Sequence, residues 1–488
     1  MRTSDLFCVT LSIMLAAAGS ASAGQVTPRP IAPVAAPPGR PIPSGAPVEL
    51  TLEEAVALAL RNNRDIRSAY LQRVVQRFDL RVAERAFVPQ GGVAVSVVRR
   101  RIAGDVSSDA TITPSATWLT PLGGTVGFSW QRFDVLGGPG KGSEGANVGL
   151  TQPLLRGAGV AVNMAPVRIA RLQEDVNKLQ LEATVSGTIS TVIVAYRSLV
   201  QAQEQVRLSE ASLERTQALL DTNRSLIAAG RMAEADIVQT ESGVASQEVA
   251  LLQSRQQLIS IQLGLLQILA MEARTNVVAA DRMTASRVEV DLDRALTTAF
   301  ASRVDLLAQR KALEQMRQSM IVTRNQTLWD LSLVASAARD DGFGFADRAR
   351  GTDTSVGVRL SIPIGDLTRR QSVLAAETGI ATAELRLEEV QQSIESQVLD
   401  AVQSVEASWR QVEAARRARV LSERALEFGQ ERLRLGRASN FEVLSLQADL
   451  RAAAVQELSA NIGYLNSLTA LDQQIGSTLE TWRISLND

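Results

Sequence analysis

Hydrophobic residues recur at every seventh position over long stretches of the chain. One series follows the long segment before Gly230, and two parallel series follow that glycine. A seven-residue repeat is typical of helices that pack as coiled coils. It predicts a helix over about 166–228, roughly 90 Å long at 1.5 Å per residue. The members are Val185, Val192, Leu199, Val206, Leu213, Leu220 and Ile227; then Ile237, Val244, Leu251, Leu258 and Leu265; and beside these Val238, Ala245, Leu252, Ile259 and Leu266.

Prolines are distributed very unevenly. Residues 24–48 hold eight of the 15 prolines, and between Pro166 and Pro363 there are none. No proline follows Pro363. Because a proline inside a helix costs about 3 kcal/mol, tracts without proline are what long helices require. The tracts predict two very long helical hairpins, and residues 24–48 form a Pro-rich linker.

The chain also repeats itself. At an offset of 240 residues the segment from Leu52 resembles the segment from Leu292, and at an offset of 206 Gly230-Arg231 resembles Gly436-Arg437. Each half therefore has the order helix, strands, very long helix, tight turn, return helix. We assign the first structural repeat to 49–280, the second to 281–480 and a C-terminal tail to 481–488.

Alternating side chains mark strands before each long helix. Val356, Val358 and Leu360 point one way and the intervening residues the other, as do Val126 and Phe128. One apolar and one polar face suits a soluble sheet or a barrel wall with lipid outside and water inside. Four such strands per chain do not close a barrel, whereas three chains supply twelve. The region 90–153 is longer than two strands need, which leaves open an extra hairpin and a different count.

The N-terminus has the features of a signal peptide. Arg2 precedes an apolar run from Leu6 to Ala18, and Ala21-Ser22-Ala23 is a small-residue cleavage pattern, so residues 1–23 are expected to be removed. No other stretch approaches the ~20 apolar residues of a transmembrane helix. A membrane protein of this kind is therefore expected to use a β-barrel.

Composition narrows the possible chemistry. The chain has 51 basic and 52 acidic residues, which argues against a broad nucleic-acid interface. It has no histidine and one cysteine, Cys8, inside the predicted signal peptide. Zinc sites and catalytic Ser-His-Asp or Cys-His groups are therefore excluded from the mature chain. We expect no enzyme activity, cofactor or metal.

Several segments resemble the TolC family of outer-membrane efflux proteins. The resemblance runs from about residue 49 to 480, in both halves and in the same order. It rests on LTLEEAVALALRNNRDIRSA, AFVPQ, LTQPLLRGAG, AAGRMAEADIVQTE and RLGRASNFEVLSLQ. It implies a mainly α protein: a homotrimer with a twelve-stranded transmembrane β-barrel and a long coiled-coil α-helical barrel in the periplasm. It also implies two partners, a periplasmic adaptor and an inner-membrane pump, for which the channel is a passive exit duct in efflux or type I secretion.

The same resemblance points to residues at the hairpin turns. Asp236 and Glu442 fall where the family places periplasmic gate carboxylates, while a second acidic position holds Ser445. The family's latch tyrosine and arginine positions hold Leu433 and Ala438, with Arg434 and Arg437 nearby. In the alternative interpretation Asp236 and Glu442 are solvated acids at a helix start, where the macrodipole favours them. The tip residues Gly230, Arg231, Gly436 and Arg437 are the expected adaptor-docking sites.

Two other classes of protein remain possible from the sequence. A secreted coiled-coil stalk explains the heptads and the signal peptide, but not the strand pairs before each long helix. A periplasmic adaptor also has a helical hairpin, but usually one, with a lipoyl-like β domain that we do not find. The substrate is not indicated by the sequence.

Overall fold

The computed structural model describes residues 47–102, 105–136, 142–230, 233–234, 237–281, 284–342 and 351–486. By compactness the chain divides into Met1–Val48 and Glu49–Asp488, and the description below concerns the second unit. The predicted signal peptide 1–23, and the linker 24–48 as far as residue 46, lie outside the described residues, as do Arg231 and Asp236.

The helices of the described residues occur in two similar sets. The first set is α1 (Leu52–Asn62), α2 (Arg64–Glu84), the single turn α3 (Val160–Asn163), α4 (Ala165–Ala228) and α5 (Ile237–Ile268). The second is α6 (Leu292–Ser302), α7 (Val304–Gln326), α8 (Thr368–Arg434) and α9 (Asn440–Ile475), followed by the single turn α10 (Thr478–Thr481). α1 and α6 coincide at the offset of 240 that the sequence predicts, and α4 begins and ends within a residue of its predicted limits.

The first helix of each set begins at a capping residue and is broken after eleven residues. Thr51 caps α1 in a capping box with Glu54, and Asp291 caps α6 at the equivalent position. At the break, Asn63 Oδ1 accepts hydrogen bonds from the backbone of Asp65 (2.8 Å) and Ile66 (3.2 Å) and so starts α2. The sequence did not reveal this break.

The heptad positions of α4 are fully buried only around the middle of the helix. Val185, Val192 and Leu199 are fully buried against α1 and α5. Towards the turn Val206, Leu213 and Ile227 are half-buried and Leu220 is buried, and several other buried positions are polar. These polar residues are Ser209, Ser212, Thr216 and Asn223.

Six strands form one antiparallel sheet in the order β2-β3-β4-β5-β7-β8. They are β2 (Gln90–Ile102), β3 (Asp105–Leu119), β4 (Thr125–Leu136), β5 (Ser143–Pro153), β7 (Asp330–Gly342) and β8 (Gly351–Ser361). The short β1 (Val48–Leu50) and β6 (Val277–Ala279) form a separate sheet. Of the two counts that the sequence leaves open, the structure has the larger one: a turn at 120–124 allows the segment 90–153 to make two hairpins, so the large sheet has six strands and not four.

One face of the large sheet is apolar on all six strands. Among its residues, Val95 is 65 % exposed and Val358 67 % exposed, so nothing in the described residues covers this face. The opposite face carries mostly small and polar residues. The apolar residues are Val93, Val95 and Val97; Ala110, Ile112, Ala116 and Trp118; Val126, Phe128 and Trp130; Ala146, Val148 and Leu150; Leu331, Leu333, Ala335 and Ala337; and Val356, Val358 and Leu360.

One helical stretch, Val160–Ala228, contains an 18-residue window that is apolar enough to cross a membrane. The expectation that no segment after the N-terminus approaches this composition was therefore wrong. In this structure, 44 % of that window is buried inside the protein. The apolar residues of this stretch include Val185, Ile189 and Val192, which pack in the core with α1 and α5.

Candidate functional site

Each long hairpin turns at a glycine in the left-handed region. Gly230 has φ +68° and Gly436 has φ +67°. The second turn is a Schellman motif, in which the Gly436 N–H donates to Leu433 O (2.9 Å) and the Arg437 N–H to Arg432 O (2.7 Å). A Cβ on either glycine would meet no atom within 4 Å, so it is the backbone conformation, and not space, that requires glycine. Gly230, Gly436 and Arg437 are exposed.

Glu442 lies in the first turn of α9 and is held by an arginine across the second hairpin turn. Arg432 Nη1 donates to Glu442 Oε1 (2.7 Å), and Arg432 Nη2 donates to the backbone carbonyl of Arg437 (3.1 Å). The two side chains are 54 % and 37 % exposed, so solvent screens the pair. Arg432 was not among the residues found from the sequence. Arg434, which the sequence analysis names near the latch positions, is in an ion pair with Glu431, with Nη1 3.8 Å from Oε2.

A buried cluster of three polar side chains joins the ends of both hairpins. Asn223 Nδ2 donates to Thr240 Oγ1 (2.8 Å) and to Asn440 Oδ1 (3.0 Å). Asn440 Nδ2 donates to the same Thr240 Oγ1 (2.6 Å). The three residues are at most 5 % exposed and come from α4, α5 and α9. We call them the tip cluster.

Further polar bonds connect α4 to α9 along their length. Thr216 Oγ1 lies 3.3 Å from Gln447 Oε1, and Arg197 Nη1 donates to Thr469 Oγ1 (2.7 Å) and to Leu465 O (2.5 Å). Burial lowers the pKa of the Arg197 guanidinium to about 10, and the negative charge of Asp472 offsets this decrease only in part. A hydrogen bond within the protein contributes a modest net free energy of folding, about 0.5–1.5 kcal/mol between neutral groups and about 1.5–3 kcal/mol where one group is charged.

Comparison with known proteins identifies the family. The family model "Outer membrane efflux protein" matches residues 55–271 and 295–477. The chain belongs to this family.

Related proteins cover nearly the whole chain. The outer membrane efflux protein BepC of Brucella suis is 23 % identical over 414 residues, which are 84 % of this chain and 82 % of BepC. The CmeC outer membrane channel of Campylobacter jejuni has the same fold at a TM-score of 0.67 and 16 % identity, covering 88 % of this chain and 86 % of CmeC. The outer membrane protein VceC of Vibrio cholerae has a TM-score of 0.66 at 15 % identity, covering 87 % of this chain and 96 % of VceC.

Membership of the family gives the broad function and location. The outer membrane efflux proteins are channels of the outer membrane with a helical tunnel in the periplasm, and they are not an enzyme family. Family members are trimers that work with an adaptor and an inner-membrane pump. The resemblance, the mainly α fold and the channel function expected from the sequence are thereby confirmed.

Proposed function

We propose that three copies of this chain form an exit duct that passively conducts substrates from an inner-membrane pump and a periplasmic adaptor to the cell exterior. The two repeats, 49–280 and 281–480, each supply strands to the barrel and one hairpin to the tunnel. In this proposal residues 1–23 direct export, 24–48 are a linker and 481–488 a tail. Efflux of small molecules and type I protein secretion are both compatible with such a duct.

The observation that carries this proposal is the amount of apolar surface that the single chain leaves uncovered. On α5, Val238 is 64 % and Leu252 65 % exposed, although both belong to the predicted heptad series. On α8, Phe428 is 72 % exposed. Exposed apolar rows on long helices pack against helices of neighbouring copies, and the apolar face of the sheet contacts lipid.

Fractionation followed by reconstitution tests the duct. The expected result is a protein of the outer-membrane fraction, extracted by detergent, with a mass of three chains by light scattering and with channel activity in planar bilayers. A compact water-soluble monomer would contradict the proposal. A stalk or fibre would give no conductance.

We further propose that Glu442, together with Asp236, forms an acidic ring at the periplasmic mouth. Threefold symmetry brings three copies of Glu442 towards one axis, where like charges attract cations.

We expect Glu442→Gln to lower cation selectivity and, because Arg432 loses its partner, to raise conductance. Glu431→Gln is the matched control on the preceding helix. Unchanged selectivity and conductance in Glu442→Gln would remove this residue from the gate. The same measurement on Asp236→Asn tests the second carboxylate.

We propose that Gly230, Arg231, Gly436 and Arg437 are the tips against which the adaptor docks. The support is that the described members of this set are exposed at reversals between helices. Charge reversal at Arg231 and Arg437 tests docking without touching the turn backbone. We expect lost co-purification with the adaptor and lost export, with the channel still trimeric. Asparagine at Gly230 and Gly436 is the conformational control, since it tolerates φ > 0. Intact export in the charge-reversed variant would contradict the docking role.

A further inference from the structure

The six-stranded sheet ends on both sides in an unpaired strand. Among the described residues β2 and β8 are the outer strands, with 13 and 11 residues, and neither has a second neighbour. In lipid every unpaired backbone N–H and C=O costs several kcal/mol, so strands that span a membrane must belong to a closed sheet. Given the outer-membrane location, both edges need a partner strand.

The hairpin of β2 and β3 belongs to the membrane part of the sheet. Its apolar residues lie on the same face as those of the other strands, since the register joins Ala116 to Phe128 and Phe128 to Val148. On β3 the apolar face runs from Ala110 to Trp118, about 27 Å at ~3.4 Å per residue. This matches the ~25 Å apolar band of outer-membrane barrels. The hairpin is therefore suited to lipid and not to water.

The position of the apolar band relative to the strand register changes from one edge of the sheet to the other. The row of paired residues that starts at Gly91 on β2 ends at Thr354 on β8. On β2 the exposed apolar residues begin after this row, at Val93, and continue away from the helices. On β8 they begin at Val356 and continue towards the helices. Such a drift is expected when strands tilt against the axis of a barrel and the band stays level.

The direction of the strands fits closure between copies. The strands alternate in direction, and six is an even number, so β8 of one copy runs antiparallel to β2 of the next. If the band is level across the junction, the middle of the β8 band at Val358 and Leu360 lies beside the middle of the β2 band at Val95. Three equal copies then leave no free edge.

We propose that β8 of each copy pairs with β2 of a second copy, so that the trimer has a barrel of three times six, or eighteen, strands. The twelve strands implied by the family resemblance are replaced by this larger number because the β2–β3 hairpin enters the wall. Barrel diameter grows roughly linearly with strand number, so the bore is about half again as wide as with twelve strands. Barrels of 16–18 strands leave an aqueous channel. The barrel wall then admits solutes of porin size or larger, and the narrowest point lies in the helical part.

Disulfide cross-linking in the full-length protein tests which strands meet. The sequence has one cysteine, Cys8, and Cys8→Ser provides the background. In this background, Val95→Cys is combined with Val358→Cys or with Leu360→Cys, and the protein is oxidised in outer membranes. We expect covalently linked trimers on denaturing gels. Val95→Cys with Thr352→Cys is the register control and is expected to stay uncrosslinked, because Thr352 lies about 20 Å or more further along the strand. Val95→Cys with Ile112→Cys, which pair within one chain, shows that oxidation occurs.

The alternative barrel leaves the β2–β3 hairpin outside the wall and joins β8 to β4 of the next copy. Phe128→Cys combined with Val358→Cys or Leu360→Cys then cross-links, and the β2–β8 variants do not. That result, or a trimer in which neither set cross-links, would overturn the eighteen-stranded barrel while the trimeric duct stands. Absence of a trimer by light scattering before oxidation would instead reject the proposed function itself.

Discussion

Arg73 of α2 and Glu174 of α4 form a buried bidentate ion pair, with Nη2 2.6 Å from Oε1 and Nη1 2.8 Å from Oε2. The side chains are 4 % and 9 % exposed. The planar guanidinium matches the carboxylate at both oxygens, and the pair fixes α2 against the long helix α4. Taking two charges out of water is costly, so the net contribution of such a pair to the free energy of folding is small.

We expect removal of one partner of this pair to be severely destabilising. Arg73→Ala leaves the Glu174 carboxylate buried without its main partner, which costs about 3–5 kcal/mol. The measurement is thermal unfolding of the detergent-extracted protein by circular dichroism. Arg73→Met combined with Glu174→Leu is expected to be milder than either single change. Arg171→Ala breaks the exposed pair with Glu84 and is the control, with an expected loss of less than about 1 kcal/mol. Equal losses in Arg73→Ala and Arg171→Ala would contradict this account.

The tip cluster is expected to hold the two hairpins together. Asn223→Ala removes both bonds from Asn223 but leaves the bond between Asn440 and Thr240. The loss of a buried partner costs about 1–3 kcal/mol, and we expect a higher conductance because the hairpin ends separate more easily. Thr222→Ala, one residue earlier and exposed, is the control. The prediction fails if Asn223→Ala conducts as the parent protein does.

The sequence was informative wherever a pattern is local or periodic. The seven-residue spacing of Val185, Val192 and Leu199 predicts a long helix. The similarity of the segments that begin at Leu52 and Leu292 predicts the repeat. Nothing in the sequence distinguishes Arg73 from Arg77 or Arg81, because the partner of Arg73 lies 101 residues away. Long-range polar pairing leaves no period in the sequence.

The tip cluster was missed, and the strand number was left open, for related reasons. A heptad analysis assigns polar residues to the solvent side, yet Asn223, Thr240 and Asn440 are buried and hydrogen-bond to one another. In the segment 90–153 the alternation is interrupted by arginines and by Pro114, so the strand limits depend on pairing. Pairing is decided by the whole sheet, and one chain segment does not determine it.

Stability is expected to depend on pH through Asp472. Burial raises the pKa of this carboxyl above its ordinary value of 3.8, and the bond from Ser477 and the charge of Arg197 lower it only in part. The folded chain therefore binds this proton more tightly than the unfolded chain does. Because of Asp472, the free energy of unfolding falls as the pH rises from 3.8 towards the raised pKa, and it stays lower at all pH values above that pKa.

The corresponding experiment compares Asp472→Asn with the parent protein at two pH values. Near pH 3 both side chains are neutral and the melting temperatures should differ little. At pH 7 the parent carries the desolvated charge, and Asp472→Asn should gain stability relative to its value at pH 3. Asp449→Asn, on the exposed side of the same helix, is the control. A variant that loses stability at pH 7 would show that the attraction to Arg197 outweighs desolvation.

Gly429 of α8 lies against the side chain of Leu446 on α9. A Cβ built there lies 2.4 Å from Leu446 Cδ1, whereas a Cβ on Gly243 of α5 lies 3.4 Å from Leu444 Cδ2. Alanine gains about 0.8–1 kcal/mol over glycine in a helix, so only the contact decides the sign. We expect Gly429→Ala to lower the melting temperature and Gly243→Ala to leave it equal or higher. Leu446→Ala combined with Gly429→Ala should cost less than the sum of the single changes, because the smaller residue removes the clash. Strictly additive losses would mean that Leu446 turns aside freely and that glycine is not required at this crossing.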